Sequence, residues 1–98
     1  MNKDNLDIKI PFMDDKLNKG PFFSNAKFTA ASIAMKAGQK LPEHKTPTEA
    51  LLVCLEGEAV FSLDGEDVNL AGGDFMTIPV DKIHGIAAKT NSRFLVVK

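Results

Sequence analysis

The run Gly38-QKLPEHKTPTEALLVCLE-Gly57 carries the reading of this chain: a glycine, then His44 six residues on, then an apolar segment and a closing glycine. That segment, Leu51-Leu52-Val53-Cys54-Leu55, is too short for a self-burying helix and suits a strand buried on both faces. Downstream, the apolar runs 59–63 and 68–70 flank Asp64-Gly65. Asp-Gly between apolar runs signals a hairpin, because a type I′ turn needs positive φ at both central residues. Ala71-Gly72-Gly73-Asp74 turns the chain again, into Phe75-Met76-Thr77-Ile78, which ends at Pro79. Apolar runs 83–88 and 94–97 complete the series, separated by the polar Lys89-Thr90-Asn91-Ser92. Upstream, Thr29, Ala31, Ile33 and Met35 alternate with Phe28, Ala30, Ser32 and Ala34, a two-residue period. No window holds a 3.6-residue apolar period long enough for a helix. Short strands at this spacing predict an all-β sandwich or barrel, with any helix confined to the first 24 residues.

The N-terminal stretch reads differently. Leu6, Ile8, Ile10 and Phe12 alternate with Asp7, Lys9 and Pro11, which predicts an edge strand, since proline is tolerated only at an edge. Residues 14–21 then read as a loop. The expected organisation is one domain over 1–98, with an edge-strand and loop arm over 1–24 and the barrel core over 25–98.

Composition narrows the function classes. Twelve basic against thirteen acidic residues, for a net charge of −1, give no electrostatic footprint for nucleic acid or an anionic membrane. No apolar run approaches the length of a membrane span, and MNKDNLDIKI holds no apolar leader core, so a cytoplasmic protein is expected. One cysteine, Cys54, excludes an internal disulfide and any Cys-rich zinc framework. The aromatic complement is seven Phe without Trp or Tyr, expected mostly in the core, which leaves few amphipathic rings for binding surfaces.

The two histidines are the residues with site chemistry, and their frame gives them meaning. The sequence resembles the cupin superfamily, in particular its small single-domain, RmlC-like members. The family's first motif is written G-x5-H-x-H-x3,4-E-x6-G. Residues 38–57 keep every spacing, with Gly38, His44, Thr46, Ala50 and Gly57 at the marked positions. Its second motif, G-x5-P-x-G-x2-H-x3-N, matches residues 73–88 through Gly73, Pro79, Asp81, His84 and Ala88. Asp81 stands where the family has glycine, and aspartate tolerates a left-handed turn better than most residues. The resemblance implies a cupin double-stranded β-helix, that is, a jelly-roll barrel. Such a fold hosts many unrelated activities.

The departures bear on chemistry. Metal-binding cupins carry three histidines and a glutamate on the inner wall, and here Thr46 and Ala50 occupy two of those positions. Only His44 and His84 match. Divalent transition ions usually recruit three or four side chains, so a chain without a metal cofactor is expected. The alternative is a divalent ion (nickel, zinc, iron or manganese) on His44 and His84. Its third ligand would be Glu49, turned inward by a bulge near Pro47, or Cys54, which shares strand parity with Ala50 and Leu52. The expected ligand pocket is His44, Thr46, Ala50, Leu52, Cys54 and His84, mostly small or apolar, with catalytic residues unassigned. Two functions follow. One is a small-molecule-binding or sensing domain; the other is a metal-dependent enzyme of oxygenase or isomerase type. The expected partners are a small-molecule ligand and a second copy in a homodimer to which the N-terminal strand contributes, with no nucleic acid and no membrane.

Overall fold

In the computed structural model, which describes residues 1–98, nine strands form two antiparallel sheets facing one another as a jelly-roll barrel. The strands are β1 (Asn18–Ser24), β2 (Thr29–Met35), β3 (Lys40–His44), β4 (Ala50–Glu56), β5 (Glu58–Leu63), β6 (Glu66–Ala71), β7 (Phe75–Ile78), β8 (His84–Ala88) and β9 (Ser92–Val97). One sheet runs β1-β2-β9-β4-β7 and the other β3-β8-β5-β6. Asp64 and Gly65 link β5 to β6 with φ of 53° and 86°, as a type I′ turn demands.

Alternation along each strand makes the core. In β4, Ala50, Leu52 and Cys54 are buried while Leu51 and Leu55 are exposed. The expectation that this run is buried on both faces is therefore corrected. The sheet has one dry side, and leucines on its other side face water. Across the barrel, Ile33, Met35, Phe61, Phe94, Leu52 and Cys54 are wholly buried in one cluster. Burial of each larger side chain contributes about 1.5–3 kcal/mol.

The N-terminal expectations change most. Residues 6–12 are not an edge strand. Leu6–Lys9 (α1) is a single helical turn, capped by Asn5, whose side chain accepts the Asp7 N–H at 2.8 Å. The sheet edge that such a strand needs is already taken by β1, paired along β2 from Asn18↔Ala34 to Ser24↔Thr29. Part of the expected loop over 14–21 is thus strand. Pro21 is accommodated at this edge next to a register shift between Pro21 and Phe23.

Arg93 ties the arm down. On β9 its guanidinium is almost fully buried on the outside of the five-stranded sheet. It donates to Ser32 Oγ at 3.1 Å, Asp7 Oδ1 at 2.9 Å and the Ile10 carbonyl at 3.0 Å, and lies over the Phe12 ring. Ile10 is buried at this clasp. Beyond the arm lie the cross-strand rows Phe23–Ala30–Val97–Leu51 and Leu95–Val53–Phe75, in which Phe23, Leu51 and Phe75 are exposed, Val53, Leu95 and Val97 half-buried and Ala30 buried. Of the seven Phe only Phe61 and Phe94 are core, whereas Phe22, Phe23, Phe28 and Phe75 are exposed. The expectation of a mostly internal Phe set is corrected accordingly. Strand parity alone does not tell which face of a sheet is covered.

Candidate functional site

His44 ends β3, His84 begins β8, and the two are register partners. Leu41 pairs with Ile86 and His44 with His84, so β3 spends three residues where β8 spends two. This bulge at Pro42-Glu43 has a consequence for direction. Leu41 and His44 are an odd number of residues apart, yet both face the barrel interior. Without the extra residue His44 would point outward. The loops behind the rings are locked as well. Asp81 sits at φ 58°, and its N–H donates to the Thr46 carbonyl at 2.9 Å, joining the segment after His44 to the turn before His84.

The ring centroids are 4.3 Å apart, tilted by 56°. His44 Nδ1 donates to the Pro42 carbonyl at 2.9 Å and His84 Nδ1 to the Lys82 carbonyl at 3.0 Å. A carbonyl can only accept, so each Nδ1 carries the hydrogen, and each Nε2 has no protein partner. Burial pushes the His84 pKa below its ordinary 6.5. The Lys82 carbonyl opposes this, while the charges of His44, Lys19 and Lys98 add to it. The neutral ring then presents the Nε2 lone pair to the interior.

Beside the imidazoles lies a cavity of about 20 Å³, walled by Ile33, Leu41, Leu52, Ile78, Ile86 and Val96, with Ala50 and Thr46 next to the rings. Space on this scale admits the centres of about one or two water-sized groups. The wall contains no carboxylate. Its remaining polar members are Lys19, from β1, and Lys98, after β9, and neither ammonium has an ion-pair or hydrogen-bond partner in the protein. Crowding by the barrel, and then the charge of Lys98, lower the Lys19 pKa. Lys19 nonetheless keeps much of its side chain in water, which screens the effect.

Of the residues singled out from sequence, His44, Thr46, Ala50, Leu52 and His84 meet at this cavity. Cys54 does not. It faces the interior, but at the other end, with Sγ 3.5 Å from the Glu56 carbonyl and 3.9 Å from that of Gly57. Burial, then the charge of Asp74, raise its pKa, so the thiolate that a metal would need is disfavoured. Glu49 is exposed before β4 and is not part of the wall. No three His, Cys, Asp or Glu side chains are grouped so that they could hold a metal ion. The donor set at His44 and His84 is therefore two imidazoles, short of what a divalent transition ion usually recruits. Lys19 and Lys98 were not legible as site residues. Lys19 lies in the segment read as loop, and only its pairing opposite Ile33 brings it to the cavity mouth.

Residues 31–98 match the family model described as "Cupin domain". Among solved structures, an RmlC-like cupin protein from Desulfovibrio desulfuricans is 31% identical, covering 99% of this chain and 94% of that one, with a TM-score of 0.86. A conserved protein of unknown function from Streptococcus pyogenes is 20% identical over 98% of this chain and 84% of that one, with a TM-score of 0.85. The DMSP lyase DddQ from Ruegeria pomeroyi is 24% identical over 85% of this chain and 46% of its own, at a TM-score of 0.77. At these last two identities the likeness is one of fold alone. No curated protein matches the sequence. No helix is long and apolar enough to cross a membrane.

Proposed function

This chain belongs to the cupin domain family, and from that premise we propose that it binds or senses a small molecule at His44 and His84 without a complete metal site. The observation that carries the reading is the pair of unpartnered Nε2 atoms at the end of a small apolar cavity, with Thr46 and Ala50 where further ligands would stand. Such a site can accept hydrogen bonds from a ligand and shield its apolar part. A second reading, a metal-dependent enzyme of oxygenase or isomerase type, draws on the same two lone pairs. Elemental analysis of the purified protein separates the two. The proposal expects far less than one equivalent of nickel, zinc, iron or manganese, and near-stoichiometric metal, removed by His84→Ala, would overturn it.

The proposal includes a homodimer. Exposed Phe75, Phe23, Leu51 and Leu55 lie on the outer sheet face beyond the arm, and apolar patches of this kind are association sites. Mass in solution tests it. A dimer is expected, and Leu51→Lys with Phe75→Lys should convert it to monomer; a monomeric parent would sink the idea. Deleting residues 1–12 asks whether the arm contributes to pairing or only covers Arg93.

A further inference from the structure

The cavity is asymmetric in charge. Its inner end offers two imidazole nitrogens, its walls are aliphatic, and its mouth carries Lys19 and Lys98. Both ammonium groups lack an anionic partner, although Asp and Glu together outnumber Lys and Arg by one in the sequence. Most lysines of the chain are likewise free of a carboxylate, only Lys9, Lys36 and Lys82 being paired, but Lys19 and Lys98 are the two that line this cavity. Unpaired cations gathered at the opening of a low-dielectric cleft concentrate field there and favour an anion. The two lysines also act on the inner end, since their charges reach His84.

Resting on the reading of this cavity as a ligand site, we propose that its ligand is a short-chain organic carboxylate. The carboxylate meets Lys19 and Lys98 at the mouth, and the short chain enters between the aliphatic walls toward His44 and His84. The size of the cavity limits the chain. With about 20 Å³ of room, the interior admits about one or two groups of water size beyond the carboxylate and the carbon that bears it. Ligands on the scale of propionate or lactate fit that limit, and sugars or nucleotides do not. The inner end adds a preference. Two Nε2 lone pairs accept hydrogen bonds and donate none in the neutral ring, so a hydroxyl on the ligand gains a partner that a methyl does not.

The experiment uses the full chain, with the imidazole resonances of its two histidines followed by NMR and affinity measured by titration. The probes are lactate, its neutral isostere lactamide, propionate and chloride. Lactate should bind about tenfold more tightly than lactamide, the worth of a charge-assisted contact open to solvent. Lys19→Gln with Lys98→Gln should erase that ratio by weakening lactate, and lactate should bind the parent more tightly than propionate. If lactamide binds as well as lactate, the cavity holds a ligand but the anionic assignment is overturned. Equal resonance shifts with chloride would overturn the organic part, leaving a site for charge alone. Silence of both imidazole resonances with all four probes would overturn this inference together with the ligand-site reading beneath it. Each single lysine variant serves as a check, should the double variant fold poorly.

Discussion

The two ends of the barrel interior are built from the same strands and have opposite characters. At the closed end Cys54, Phe94 and Met35 pack without exposure. Gly57 there admits the backbone of Asn91 and Ser92 so closely that a Cβ would collide with both. At the open end β4 and β8 contribute Ala50 and His84, beside a cavity with unpaired nitrogen atoms. The contrast teaches that stability and chemistry are divided along the strand axis. Large apolar side chains and a glycine at positive φ close one end; small residues and a bulge hold the other open. Substitutions at the closed end should therefore change stability and spare the imidazoles. Those at the open end should do the reverse.

The largest effect is expected from Phe94→Ala. It removes a wholly buried ring from the closed end, at a cost of about 3–5 kcal/mol. Denaturant titration reads the loss, and the histidine resonances of the folded fraction should stay where they are. Moved resonances would show the two ends to be one mechanical unit.

Gly57→Ala comes next. Its φ is +86°, and the added methyl meets Asn91 and Ser92. Strain and overpacking together should cost about 2–4 kcal/mol. A neutral outcome in thermal unfolding would mean that the Asn91–Ser92 turn yields easily and that the closed end is looser than its packing indicates.

At the open end, Thr46→His with Ala50→Glu should cost about 1–3 kcal/mol by overpacking, because Ala50 is buried. In return it assembles three imidazoles and a carboxylate on one wall. Added manganese, zinc or nickel should raise the melting temperature of this variant and barely move the parent's, since a ligand that binds only the folded state stabilises it by mass action. A folded variant indifferent to metal would show that Thr46, which lies in the loop after β3 with its hydroxyl donating to the Thr48 carbonyl, cannot turn toward the rings.

The smallest effect is one of pH. The folded pKa of His84 lies below the ordinary 6.5, so as pH falls through 6.5 the unfolded chain takes up a proton that the folded chain resists. Above that pH both states are neutral at this ring and stability is unaffected. Below it stability declines until the folded ring is protonated too. Melting temperature should hold above pH 6.5 and fall as the pH drops below it, and His84→Asn should flatten the curve. An unchanged slope would assign the decline to other groups.

Much of the barrel could be read without coordinates. The two-residue period of residues 28–35, the Asp64-Gly65 turn and the glycine-to-histidine spacings each act through local sterics, and local sterics are written in sequence. Parity likewise carried Ala50, Leu52 and Cys54 to the inner face. It could not say how far along the barrel each lies, so Cys54 appeared to share a wall with His44 that it does not reach. The N-terminal alternation at Leu6, Ile8, Ile10 and Phe12 misled for a related reason. Period two marks a strand only where a neighbouring edge is free to pair, and β1 had taken that edge.

What the sequence by itself determined, then, is the series of strands, the barrel they form and the two histidines in frame. Spacing, turn chemistry and strand alternation are properties of neighbours in the chain. The tertiary structure alone decided the bulge that turns His44 inward, the arrival of Lys19 and Lys98 at the cavity mouth, and the Arg93 clasp on the arm. These are contacts between residues tens of positions apart, set by which strand edges meet and by which face is left uncovered.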